Sequence, residues 1–313
     1  MRRACRSLTS SAPWLVAAAL FAAAGPHAPR AQDDPALAPR EIVLWPEGVP
    51  EPRVPDDPPE KVEKGKDGIS RRSNVARPRL LAYGPPAAAG GPARGAVIVV
   101  PGGGFSILAD EHEGSDACRR FAAEGLATFL LVHRAPTGKL PVPNAGPAAD
   151  AQKGVYEVRR RAAELGVDPG RIAVLGFSAG GQVALAAAVG APRFAPADPA
   201  VSTRPDALVL LYPWRILADD GQGLRPEMRI DAATPPTFIA QCGDDPGSLP
   251  AGSATLYLQL IRAKVPAEIH IFERGGHGFG MRPRDDAPGT AEWLPRAIDW
   301  LRGRGIIAAK PAG

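Results

Sequence analysis

Ser178 stands in the run Gly176-Phe177-Ser178-Ala179-Gly180, between the apolar stretch Ile172 to Gly176 and the small-residue stretch Gln182 to Val189. A strand, a sharp turn flanked by glycines and a helix, in that order, would lift the serine hydroxyl clear of the backbone, as a nucleophile requires. The five-residue pattern alone is a weak signal, so its context decides. Asp168, Pro169, Gly170 and Arg171 make a turn into a β-rich run, and Gly180 and Gly181 open the helix. That is the setting the pattern needs.

A serine hydroxyl is a poor nucleophile at neutral pH and needs a base to take its proton, with an acid behind the base. His277, inside Gly275-Gly276-His277-Gly278-Phe279-Gly280, is the expected base, because flanking glycines let its loop approach Ser178 without side-chain obstruction. Of the other histidines, His27 lies in the leader, His270 within a strand, and His112 and His133 are the remaining contenders; His133, at a strand end, is expected to pack in the core or at its rim. The pair Asp244 and Asp245 follows an apolar run ending at Gln241. Asp245 is preferred as the orienting acid, since Pro246 and Gly247 make a tight turn that aims its carboxylate, and Asp244 is left to helix capping or solvation.

The tetrahedral intermediate of acyl transfer carries an oxyanion that must be stabilised by N–H donors. Pro101-Gly102-Gly103-Gly104-Phe105 follows directly on the apolar run ending at Val100. Gly103 or Gly104 is the expected source of one donor and Ala179, after the nucleophile, of the other. No lysine follows to make a phosphate-binding loop and no dinucleotide fingerprint fits, so no cofactor is expected. Trp214 offers an indole face for a sugar ring, although packing explains it as well. Asp150 reads as a first-turn acid complementing a helix dipole, with Arg134 paired to a carboxylate in the same region.

Groups on different segments converge only if a scaffold brings them together. From Leu80 onward, short β-rich runs alternate with helical stretches. The runs are Leu80 to Tyr83, Ala96 to Val100, Ala127 to His133, Ile172 to Gly176, Ala207 to Tyr212, Thr237 to Gln241 and Glu268 to Phe272. Helices are expected near Asp116 to Gly125, Ala148 to Leu165, Gly180 to Val189, Gly252 to Ala263 and Thr290 to Leu301, the second presenting Val155, Val158, Ala162 and Leu165 to the sheet. The pattern predicts an α/β fold, a mostly parallel central sheet flanked by helices on both faces. In such sheets ligands gather at the carboxyl ends of the strands, where Ser178, Asp245 and His277 all fall.

The first 31 residues read as an export signal, with Arg2, Arg3 and Arg6 ahead of an apolar core from Trp14 to Ala24 and small residues up to Ala31. That core is too short to span a bilayer, so cleavage near Ala31 and a periplasmic or secreted product without stable membrane insertion are expected. The paired arginines fit twin-arginine export poorly, and Cys5 lies too early for a lipoprotein anchor. Four of the 37 Lys and Arg lie in this leader, which leaves 33 against 33 acidic residues and no footprint for nucleic acid. Cys118 and Cys242 are too few for a disulfide scaffold or a multi-cysteine metal site and are expected as two buried free thiols. Residues 32–78, rich in proline and charge, read as an extended lead-in in which only Ile42 to Trp45 looks like a strand, and residues 79–313 as one catalytic domain.

Taken together the chain resembles the α/β-hydrolase esterases that include bacterial acetyl xylan esterases and other carbohydrate esterases. The motifs are LWPEGVP, PGGGF, Glu113-Gly114, His133-Arg134-Ala135-Pro136, GFSAGG, RPDALVLLYPW, PPTF, Asp244-Asp245 and GGHGFG. The chain order serine, aspartate, histidine is that of the family. The resemblance implies a serine esterase with Ser178 as nucleophile, Asp245 as orienting acid and His277 as base, acting on small-molecule or carbohydrate esters through an acyl-enzyme. Two positions depart from it: Ser248 and Leu249 replace a common valine-proline pair after the acid, and Pro101 stands where many esterases have histidine. The rival readings are a serine peptidase of the prolyl-oligopeptidase type, which usually carries a large extra domain, and a non-catalytic binding module, which tends to have lost a catalytic residue.

Overall fold

The computed structural model describes residues 39–84, 90–282 and 284–309. The expected leader and Cys5 lie outside the described residues.

Eight strands make one sheet: β1 (Arg40–Val43), β4 (Arg79–Tyr83), β5 (Arg94–Val100), β6 (Ala127–Val132), β7 (Val167–Phe177), β8 (Ala207–Leu211), β9 (Thr237–Cys242) and β10 (Ala267–Phe272). Their order across the sheet is β1-β4-β6-β5-β7-β8-β9-β10. The β1/β4 and β4/β6 pairs are antiparallel and the rest parallel. All seven strands expected from Leu80 onward form, within a few residues of their expected limits. They were legible because strands covered on both faces are continuously apolar. Along β5, Val97 and Val99 enter one core layer while Ile98 and Val100 enter the other. Each such buried side chain contributes about 1.5–3 kcal/mol.

The first layer holds α2 (Ala145–Arg160), α4 (Ala179–Val189) and α5 (Pro250–Arg262), represented by Val155, Val183 and Leu256. The second holds α1 (Asp116–Ala122) and α6 (Trp293–Gly303), represented by Phe121 and Leu301. α4 is buried along nearly its whole length, which its alanines and glycines permit by letting the sheet and α2 approach from both sides. The helix expected over Ala148 to Leu165 starts earlier, at Ala145, and is interrupted at Arg161 before the short α3 (Ala162–Leu165). Pro147 does not delay it, because a first-turn residue needs no N–H for the helix. Val155, Val158, Ala162 and Leu165 are all buried in the first layer, as their spacing predicts.

The segment before Leu80 is more structured than an extended lead-in. β1 is an edge strand with Ile42 opposite Leu80, and residues further on form a hairpin of β2 (Lys61–Lys64) and β3 (Ser70–Ser73). The hairpin has no apolar alternation to betray it. Ions hold it: Arg72 reaches Glu60 at 2.5 Å and Asp110 at 2.8 Å, and Arg79 also reaches Glu60. Burial raises the Glu60 carboxyl pKa, but the two guanidiniums outweigh it and leave the group below its ordinary value.

Candidate active site

The sheet register brings the functional loops to one edge. Gly176 pairs with Val100 on β5, Phe177 with Leu211 on β8, Leu211 with Ala240 on β9, and Cys242 with Phe272 on β10. The glycine loop, Ser178, the aspartate pair and the His277 loop therefore leave neighbouring strands in the same direction.

Ser178 occupies φ 52, ψ −120, a conformation that L-residues rarely adopt and that costs roughly 1–3 kcal/mol. The surrounding backbone holds it there: its N–H donates to Leu211 O at 2.9 Å, and its carbonyl accepts from Gly181 N at 2.9 Å and Trp214 N at 2.9 Å. The two motif glycines have a steric reason. A Cβ at Gly180 would run into the carbonyl oxygen of Val100, and one at Gly176 into that of Gly180. Only this pattern closes the turn.

Ser178 Oγ lies 2.8 Å from His277 Nε2, and His277 Nδ1 lies 2.8 Å from Asp245 Oδ2. With the carboxylate accepting from Nδ1–H, Nε2 is left free to accept the serine proton. Asp245 is buried and its carboxylate is held throughout: Oδ1 accepts from Gly247 N at 2.7 Å and Ser248 N at 2.8 Å, and Oδ2 also accepts from Gln241 Nε2 at 3.0 Å. Burial alone would raise its pKa, but the bonds from His277, Ser248 and Gly247 bring it below the ordinary carboxylate value. Ser248, one of the two departures from the family pattern, thus supplies a backbone donor and leaves the acid loop intact. Leu249 caps α5, whose first residue is Pro250.

Asp244 neither caps a helix nor stands idle in solvent. Its carboxylate accepts from Gly276 N at 2.8 Å and Gly275 N at 3.3 Å, which pins the start of the His277 loop and lowers its pKa. The adjacent acids divide the work, one holding the imidazole and the other the backbone that carries it.

Gly103 has φ +133, and a Cβ there would run into the carbonyl oxygen of Ile107; Gly104 has φ +61. Among the described residues the N–H groups of Gly103, Gly104 and Ala179 donate to no protein acceptor. The N–H of Gly102 is committed, donating to Glu113 Oε2 at 2.9 Å. The donors expected from the sequence are thus among those without a protein acceptor, as is the N–H of Phe105 in the same loop.

The sequence quoted Glu113 and Tyr212 within motifs without giving either a task. Both are buried behind the site. Tyr212 Oη donates to Glu113 Oε1 at 2.8 Å and accepts from Gly280 N at 2.8 Å. Burial, then the charge of Glu113, pushes the Tyr212 phenol far above its usual range, so it remains a donor. His133 packs as expected: its Nδ1 faces Arg134 O at 3.1 Å and its Nε2 faces Pro101 O at 3.4 Å, beneath the glycine loop. Asp150 is not a first-turn acid, since α2 begins at Ala145. It forms a fully buried two-point pair with Arg134, at 2.9 Å and 2.5 Å, and also accepts from Trp45 Nε1 at 2.8 Å. Cys118 and Cys242 are buried free thiols, burial pushing the latter up to about 12.

Comparison with known proteins agrees with this geometry. A family described as having the alpha/beta hydrolase fold matches residues 97–234. The acetyl ester-xyloside bifunctional hydrolase of Caldicellulosiruptor lactoaceticus superposes with a TM-score of 0.67 at 29% identity, covering 87% of this chain and 99% of that one. The chain has the α/β-hydrolase fold. Among curated proteins, the chain is 27% identical over 213 residues to the acetylxylan esterase of Xylanibacter ruminicola, covering 61% of the chain and 42% of that protein. It is 29% identical over 209 residues to endo-1,4-beta-xylanase B of Butyrivibrio fibrisolvens, covering 59% of the chain and 32% of that protein. The match thus spans well under half the length of either curated relative. The resemblance of the chain to α/β-hydrolase esterases, read from its motifs, is upheld.

Proposed function

We propose that the chain is a serine carboxylic-ester hydrolase that removes short acyl groups, acetyl above all, from carbohydrate. The observation that carries this reading is the relay from Ser178 Oγ through His277 to Asp245, each link 2.8 Å, beside uncommitted N–H groups at Gly103, Gly104 and Ala179. Ser178 Oγ attacks the ester carbonyl as His277 Nε2 takes its proton. The carbonyl oxygen, now negative, accepts from Ala179 N–H and from the N–H of Gly103 or Gly104, each such donor being worth about 3–4 kcal/mol. Collapse breaks the C–O bond to the alcohol, to which His277 returns the proton, leaving an acyl-enzyme. Water then repeats the sequence and frees the acid.

The carbohydrate part of the reading is supported by the relatives whose names refer to xylan and xylosides, and by Trp214, half-buried at the rim beside Ser178. Its indole packs against Phe105 at 5.9 Å and lines the cavities next to the site. We further propose export, with the first 31 residues as a cleaved leader; amino-terminal sequencing of the exported protein would find a start near Gln32.

The test is acetate release from acetylated xylan and from a simple aryl acetate, by the wild type and by Ser178→Ala. Release from both, lost in the variant, supports the proposal. Turnover of the aryl ester alone removes the carbohydrate, and wild-type rates in a folded Ser178→Ala protein remove the mechanism.

A further inference from the structure

Two cavities meet at Trp214, one of about 430 Å³ beside the glycine loop at Gly104 and Phe105, the other of about 540 Å³ beside the acid loop at Pro246 and Gly247. Trp214, Arg215 and Arg225 line both, and Arg193 also lines the smaller one. The arginines are not equivalent. Arg225 pairs with Asp219 at 3.2 Å and Glu227 at 3.3 Å, whereas among the described residues neither Arg193 nor Arg215 has a carboxylate within salt-bridge distance. Among the described residues two guanidinium groups are thus unpaired, the one on Arg215 exposed, while Glu227, which also lines the smaller cavity, is paired with Arg225.

Arg215 is held in place. Its carbonyl accepts from Gln182 Nε2 at 3.1 Å, in the first turn of the helix that Ser178 caps, and its guanidinium lies 4.8 Å above the Trp214 ring. Trp214 N–H in turn donates to Ser178 O. The backbone of Arg215 is thereby tied to the turn that carries Ser178, while its exposed guanidinium stands over the Trp214 ring. The smaller cavity also has unmet polar groups: Arg193 Nε is a buried donor with no partner among the described residues, and Asn144, 3% exposed, has an Oδ1 in the same condition. A buried donor and a buried acceptor without partners are costly, and both belong to residues that line this cavity.

We propose that this cavity holds the alcohol part of the ester and that this part is acidic: a saccharide bearing a uronate, whose carboxylate pairs with Arg215 and Arg193 while a sugar hydroxyl meets Asn144. A cavity of this size suits a saccharide far better than an acetyl group. Guanidinium matches carboxylate geometry with two parallel bonds, which an ammonium does not. The inference rests on the ester-hydrolase reading and names the substrate class for that site.

The test compares kcat/KM for an acetylated xylo-oligosaccharide carrying a uronic acid with that for its neutral counterpart. The expected result is a preference of about ten-fold or more for the acidic substrate, expressed in KM, as for a charge-assisted pair. It should shrink as salt shortens the Debye length from about 10 Å at 0.1 M to about 3 Å at 1 M. The ratio should fall toward one in Arg193→Gln/Arg215→Gln, with Arg215→Lys intermediate. Equal kcat/KM in the wild type, or a preference that survives the double substitution, would overturn the proposal. So would a charge preference seen only when the carboxylate is on the acyl side, as in 4-nitrophenyl hemisuccinate against the acetate. Binding of the unacetylated oligosaccharides to Ser178→Ala, followed by calorimetry, separates this inference from the one beneath it. An enzyme that turns over no ester but binds the acidic oligosaccharide about ten-fold tighter would keep the pocket and lose the reaction; equal binding would lose the pocket.

Discussion

The ring of Tyr212 meets the imidazole of His277 edge to face, with centroids 4.9 Å apart. The same side chain, through its hydroxyl, joins Gly280 beyond His277 to Glu113, and Glu113 holds Gly102 at the start of the glycine loop. One buried chain of hydrogen bonds thus ties the His277 loop to the glycine loop.

Tyr212→Phe keeps the edge contact and removes the link. Gly280 N–H and Glu113 Oε1 lose their partner in a buried place, which costs about 1–3 kcal/mol of stability. The expected result is a lower denaturant midpoint and a fall of about ten-fold in kcat with little change in KM, as befits loss of transition-state positioning. Because Tyr212 stays protonated far above its usual range, the shape of the pH-rate profile should not change. An unaltered kcat would show that the chain of bonds does not position the site.

The adjacent aspartates should separate cleanly. Asp245→Asn removes the acceptor that fixes the His277 tautomer and should lower kcat by about 10³–10⁴-fold. Asp244→Asn weakens only the anchoring of Gly275 and Gly276, and its loss should stay below about ten-fold. Steady-state kinetics on a short-chain aryl ester distinguishes them, and the reverse ranking would exchange their roles.

Asp245 also predicts a pH signature in stability. Its pKa in the fold lies below that of the free carboxyl, near 3.9, so its charged form binds the fold better. The stabilisation is complete above the unfolded value and is lost as pH falls through the lowered folded one. Urea midpoints of the wild type and Asp245→Asn should therefore differ by a constant amount near neutrality and converge only in acid. A difference that grows as pH falls would give the shift the opposite sign.

Asp150→Asn leaves the Arg134 guanidinium buried without its carboxylate and should cost about 3–5 kcal/mol of stability. Arg134 Nη1 also donates to Pro50 O at 2.6 Å and Pro52 O at 2.8 Å, so the damage should extend to the segment before the sheet. Denaturant unfolding with limited proteolysis reads both. A variant as stable as the wild type would mean that the pair fixes geometry without adding stability.

What the sequence made legible and what it hid divide along physical lines. The strands and their functional ends were readable because buried parallel strands are apolar without interruption, and Ser178, Asp245 and His277 because their loops are punctuated by glycine and proline. The β2/β3 hairpin was not, since Arg72, Arg79, Glu60 and Asp110 hold it by charge and leave no periodicity. Asp150 was misplaced because assigning it to a helix start depended on where α2 begins, which is Ala145 and not Ala148. Glu113 and Tyr212 are 99 residues apart and meet only in the fold. The signals available were the Glu113-Gly114 pair and a tyrosine closing the apolar run Ala207 to Leu211, too weak to name partners.

The central claim is that Ser178 is the nucleophile. The most direct measurement is the intact mass and peptide map of the protein after exposure to an organophosphate that phosphorylates serine hydrolases. A single adduct on the peptide carrying Ser178, with esterase activity lost in proportion to it and no adduct on Ser178→Ala, is the predicted result. An adduct on another residue, or full activity in a protein modified at Ser178, would contradict it.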